Sequence, residues 1–201
     1  MTKLEQRRKE MVTSVMREGI YEAVVEVLTE HGLDGLTMDR VAAQAGVGKA
    51  SLYKYFANKQ EMLRFVHAKA IEPVTAAVQT HLKSDIPADQ KLRAILRTWF
   101  EHLGEHQVLF NLFCNDFGVE GLLKSEELTE QERALQDISN VLEEGVRSSV
   151  FRKVDTARTS LLIFGAVRQL VEQQLANDET WPTDELTEHV MDFFSRGLQV
   201  R

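Results

Sequence analysis

Between Asp39 and Glu61 the chain carries four cations, Arg40, Lys49, Lys54 and Lys59, and no acid. Tyr53 and Tyr55 stand in the same stretch, among the small residues Gly46, Gly48, Ala50 and Ser51. Lysine ammonium groups donate to guanine O6/N7 or to phosphate, a serine hydroxyl bonds to either, and tyrosine hydroxyls commonly bond to phosphate oxygens. The chemistry open to this set is recognition of a polyanion. The formal net charge of the chain is −7, so the island is not a sample of a generally basic protein. Residues 1–60 carry a net +1 and the remainder a net −8. Only the first part is suited to a polyanion.

These side chains must be carried on something that presents them together. Thr37 is a good N-cap for a short helix through Met38, Val41, Ala42 and Ala45. Gly46 stops that helix, and a second short one covers about 49–55. Two short helices joined by a tight turn make a helix-turn-helix. Ala42 is small where the second helix must cross closely, and Gly46 permits a positive φ at little steric cost. Val41, Ala45, Val47, Leu52 and Tyr55 fall on the inward side. Lys49, Ala50, Ser51, Tyr53 and Lys54 then point outward, and a face of small residues lets a helix lie deep in the major groove.

The remaining pattern is helical throughout. Val12, Val15, Met16, Ile20, Val24, Val27 and Leu28 form one stripe over 7–30, which Gly32 ends, with Leu33 and Leu36 as anchors. A longer helix is expected over about 58–81, kinked or broken at Pro73. Further helices are expected at about 88–103, 106–117, 125–149, 155–176 and 183–198. "GVEG" at 118–121, a polar turn at 153–155 and "NDETWPTD" at 177–184 separate the later ones.

"HGLDGLTMDRVAAQAGVGKASLYKYFANKQEML", residues 31–63, resembles the DNA-binding segment of the TetR-type bacterial transcriptional regulators. "WPTDELTEHVMDFFSRGL" looks like the family's final helix. The resemblance implies an all-α chain. An N-terminal three-helix helix-turn-helix DNA-binding domain (1–57) is joined by a connecting helix (58–81) to a larger effector-binding and dimerisation domain (82–201). By position, Thr37, Tyr53, Tyr55 and Lys59 resemble phosphate-contacting residues, and Lys49, Ala50, Ser51 and Lys54 the base-reading set. Arg40 and Gly48 complete the DNA-binding candidates. Gly48 stands where the family often has serine, and it supplies no side-chain cap to the recognition helix. Core packing is the alternative for Tyr55, and Lys3, Arg7, Arg8 and Lys9 either add contacts or fray.

In the body, the helices at 155–176 and 183–198 carry broad apolar faces, wider than one surface pair normally buries. A four-helix interface across a two-fold axis, hence a homodimer, would cover them. The aromatic-rich segment 99–117 suggests a pocket for a small, largely apolar effector, which the resemblance also implies. Its candidate lining is Trp99, His102, Leu103, His106, Phe110, Phe113, Cys114 and Phe117, with Phe164 and Arg168 from a later helix. The spacing of His102 and His106 matches no closed zinc motif, and no metal or other cofactor is expected. No nucleophile–base constellation or phosphate-cradling loop is present, which argues against an enzyme. The lone Cys114, the charged N-terminus and the lack of a long apolar run fit a cytoplasmic protein outside the membrane.

The expected function is a ligand-responsive repressor, released from a palindromic double-stranded DNA operator by its effector. The alternatives are an activator on the same scaffold, or a helical small-molecule binder with a vestigial DNA-binding motif.

Overall fold

The computed structural model describes residues 2–106, 109–110, 117–177 and 179–198, with the backbone alone at Glu105 and over 117–128. Helix α1 spans Lys3–Gly35. A capping box starts it: Thr2 Oγ1 accepts from the Glu5 amide at 3.3 Å, and the Thr2 amide donates to Glu5 Oε2 at 2.7 Å. Gly32 turns the chain at φ 62°, a value that glycine adopts without strain. The apolar stripe does not bury along its whole length. Ile20, Ala23, Val24, Val27 and Leu28 are buried, whereas Val12 and Val15 are 52% and 66% exposed. A periodic stripe is buried only where a partner lies opposite, and the core partners of α1 gather from Ile20 onward.

Thr37 caps α2 (Met38–Gln44), its hydroxyl accepting from the Arg40 amide at 3.2 Å. Gly46 makes the turn at φ 65°, and Val47 N–H closes back onto the Ala42 carbonyl at 2.9 Å. Helix α3 (Lys49–Leu52) begins at Gly48 with no side-chain cap, and tight turns extend it to Phe56, whose N–H bonds to the Leu52 carbonyl. Asn58 caps α4 (Lys59–Lys83) through the Glu61 amide at 2.8 Å.

Helix α4 is continuous through Pro73, so of the expected kink or break the break does not occur. The missing N–H removes one rung, but the exposed ring leaves the flanking turns helical. Helices α5 (Ala88–Glu105), α6 (Phe117–Arg147), α7 (Thr156–Asn177) and α8 (Thr183–Leu198) complete the body. The segment 118–121, expected to separate two helices, lies inside α6. Glycine inside a helix costs about 1 kcal/mol, which so long a helix absorbs.

Two cores result. The first gathers Val24 and Val27 of α1, Val41 of α2, Leu52 of α3, Phe56, and Met62, Leu63, Val66 and Ala70 of α4. The second gathers Leu92, Ile95 and Leu96 of α5, Ile138 and Leu142 of α6, Ile163 and Val167 of α7, and Val190 and Met191 of α8. Helix α4 belongs to both, because Val78 lies in the second. Inside the body, buried Lys91 reaches both carboxylate oxygens of Glu144 at 2.8 and 2.9 Å, tying α5 to α6. Phe151 packs its ring over Gly145, where a side chain would leave it no room.

Candidate nucleic-acid interface and inner cavity

The outward face of α3 is assembled as its residue types require. Leu52 and Phe56 are buried, Ala45, Val47 and Tyr55 pack against the core, and Lys49, Ala50, Tyr53 and Lys54 are exposed, with Ser51 half-buried. The half-buried Tyr55 satisfies its packing role and still borders an open groove with Lys54, Arg8 and Lys9. Because the capping box orders α1 from Lys3, Lys3, Arg7, Arg8 and Lys9 sit on helix and not on a frayed tail.

The cations differ in how they are held. Lys49 Nζ lies 2.6 and 2.9 Å from the two carboxylate oxygens of Asp39, in the first turn of α2. The bond and charge of Asp39 raise the pKa of this ammonium. Arg40 donates to the Gly35 carbonyl. Lys59 donates to the Leu33 carbonyl at 3.0 Å, so it fastens the end of α1 to the start of α4. That role was not visible in the spacing, because the two residues come together only through the turn at Gly32. Elsewhere Arg17 lies over the rings of Phe56 and Phe65, 5.5 and 5.3 Å from their centroids, and Lys69 of α4 pairs with Glu18.

Between α4, α5, α6 and α7 lies a partly open cavity of about 350 Å³. Trp99, His102, Leu103, His106, Phe110, Phe164 and Arg168, all expected around a pocket, lie on its wall. Phe113, Cys114 and the side chain of Phe117 lie outside the described residues. The sequence did not single out the α4 wall, made by His67, Ala70, Ile71, Val74 and Val78, nor the polar α6 wall of Glu130, Arg133 and Asp137. Buried His67 on an otherwise apolar helix face was the available signal.

His102 bonds to the backbone carbonyl of Ala70, and burial, followed by the neighbouring His106, lowers its pKa to about 4. The imidazole is therefore neutral near pH 7. Asp137 is pushed up by burial, against a hydrogen bond from Gln79 and the nearby Arg133. Arg168 pairs with Glu172 at 2.6 Å. Trp99 and Phe164 meet edge to face at 5.9 Å. Among the described residues no group of three or more His, Cys, Asp or Glu is placed to hold a metal, and no helix is long and apolar enough to cross a membrane.

Residues 20–66 match the model of the tetR family of bacterial regulatory proteins, and residues 85–198 match the tetracyclin repressor-like C-terminal domain. The chain belongs to the TetR family. It is accordingly a DNA-binding, ligand-responsive transcriptional regulator and not an enzyme. This TetR-family chain is 25% identical over 183 residues to the fatty acid metabolism regulator protein of Bacillus subtilis, covering 89% of itself and 93% of that protein. It is 29% identical over 99 residues to the transcriptional activator FasR of Mycolicibacterium smegmatis, 49% of this chain and 45% of the relative. Among solved structures, FadR of Bacillus subtilis in complex with stearoyl-CoA shares the fold at a TM-score of 0.74 and 22% identity, covering 90% of this chain and 98% of that one. FadR of Bacillus halodurans does so at 0.74 and 21%, over 92% and 97%.

Proposed function

We propose that this TetR-family protein is a homodimeric repressor that leaves a palindromic operator when a small, largely apolar effector fills the cavity. Residues 1–57 are the reading head, 58–81 the connector, and 82–201 the sensing and dimerising body. Thr37, Arg40, Tyr53, Tyr55 and Lys59 hold the DNA backbone. Lys49, Ala50, Ser51 and Lys54 meet the bases, and Gly48 brings the helix start close.

The observation that carries the reading is the double membership of α4. Its residues Met62, Leu63 and Val66 lie in the DNA-binding core, while His67, Ile71, Val74 and Val78 wall the cavity. Leu109 has the same double character, packing in the N-terminal core and lining the cavity. An effector that favours a different seat for α4 or Leu109 therefore changes the separation of two reading heads, a population shift between conformers. The names of the relatives, fatty acid metabolism regulator and a FadR bound to stearoyl-CoA, support an effector carrying an acyl chain. The cavity's apolar walls, closed by Glu130, Arg133 and Arg168 at polar positions, suit such a molecule.

The test is selection of duplexes from a random pool by the purified protein, followed by titration of the recovered site with acyl-chain compounds. A palindrome that is released on titration is the expected result. An effector that binds without changing operator affinity would sink the mechanism. Sequence-blind retention of DNA would favour the vestigial motif. In vitro transcription from the recovered site separates repression from activation, the latter being the role of the relative FasR.

A further inference from the structure

Asp39 is out of place on a surface that receives DNA. It lies in the first turn of α2, its side chain 65% exposed, on the side where α3 begins. A carboxylate there repels phosphate and lowers affinity for every sequence alike. Yet both of its oxygens are turned onto Lys49, the first residue of α3, itself 59% exposed. The pair bridges the two helices of the helix-turn-helix across their outward side.

A lysine on a flexible stem is a point charge that any phosphate can satisfy, so it adds affinity without sequence information. A lysine fixed by a neighbour presents its ammonium in one direction. The donor and acceptor sides of such a pair also match one base pair in the major groove. Guanine offers O6 and N7 as acceptors, and cytosine offers its N4 amino group as donor.

Resting on the DNA-reading role of α3, we propose that Asp39 is a specificity-determining residue, orienting Lys49 toward a G·C pair and cancelling the lysine's sequence-blind attraction to phosphate. Asp39 is a positioning residue in this scheme when it acts through Lys49, and a reader in its own right where it accepts from cytosine. The pair need not open to read a base: the Lys49 ammonium carries three N–H donors, and two of them suffice for the Asp39 oxygens.

The experiment uses the full chain and its Asp39→Asn, Lys49→Ala and double variants. Each is passed through random-duplex selection, then titrated against the wild-type site and a scrambled duplex over a range of salt. In Asp39→Asn, scrambled DNA binds more tightly, and its log–log salt slope steepens by about one phosphate's worth. The ratio of specific to non-specific affinity falls about tenfold, with one G·C position per half-site relaxed. In the Lys49→Ala background, the Asp39 change no longer alters the salt slope. Melting curves of each variant check the fold, and an unchanged midpoint is expected for Asn at this exposed position. An unchanged ratio and slope in Asp39→Asn, with the wild type still selecting a site, overturns this inference alone. A wild type that selects no site overturns the DNA-reading role as well.

Discussion

The imidazole rings of His102 and His106 stand 4.6 Å apart, centre to centre, on the cavity wall. Protonating the first places a charge in a partly dry site beside a second titratable ring. In the unfolded chain His102 protonates near its ordinary 6.5, whereas in the fold it does so only near 4. The unfolded state thus binds more protons between those values, and stability falls as pH drops through them. Asp137, raised by burial, faces the same cavity and works in the opposite sense. Glu130, Arg133, Arg168 and His67 are the other charged or titratable groups on this wall. Denaturation midpoints taken from neutral pH down to about 4 should therefore decline less steeply in His102→Gln than in the wild type. Parallel curves would show that His102 does not carry the effect.

Lys59→Met should cost about 1.5 kcal/mol of stability, the scale of a hydrogen bond from a charged donor, because the Leu33 carbonyl loses that donor. The same change should weaken binding to all duplexes alike and flatten the salt slope by about one. Denaturation and salt titration read the two effects separately. A loss of stability with no change of slope would leave Lys59 a scaffold residue only.

Gly145→Ala should lower stability by about 1–3 kcal/mol, since its Cβ would run into the Phe151 ring. Combining it with Phe151→Leu, which frees space at the same spot, should recover part of the loss. Additive losses in the double variant would mean that the two side chains do not share that space.

Leu162 and Phe193 are 64% and 72% exposed on α7 and α8, with Leu161 beside them at 53%. Leu162→Glu or Phe193→Glu should yield a monomer in sedimentation and lose affinity for a two-half-site duplex far more than for a half-site. A wild type that sediments as a monomer at micromolar concentration would remove the dimer from the proposal.

Local chemistry made the helix-turn-helix legible. Thr37 offered a cap, Gly46 a positive φ and Gly48 no cap, and each requirement is met within a few residues of chain. The broad apolar faces of α7 and α8 were legible for the same reason. The α4 wall of the cavity was not. Ile71, Val74 and Val78 have the spacing of any core-facing stripe, and periodicity does not say whether the space opposite is filled. Val12 and Val15 misled in the reverse direction, forming a stripe that none of the described residues covers. Weighed locally, propensity allows a helix to end at Pro73 or within 118–121, whereas α4 and α6 continue through both. The Lys59–Leu33 and Lys49–Asp39 contacts depend on how separate helices are brought together, which single-sequence patterns do not specify.

The division into two cores bears on how the protein comes apart. Helix α4 contributes to both, but each buried side chain belongs to one cluster or the other. Two cores that share one helix, α4, can melt in steps, so calorimetry should resolve two transitions. Each ligand would then mark its own, operator DNA raising the melting of the N-terminal cluster and the effector that of the body. A heating trace becomes a way to identify an unknown inducer without knowing the operator. In the cell, the less protected of the two clusters would be the first exposed to proteases, and the bound state would set how long each copy persists.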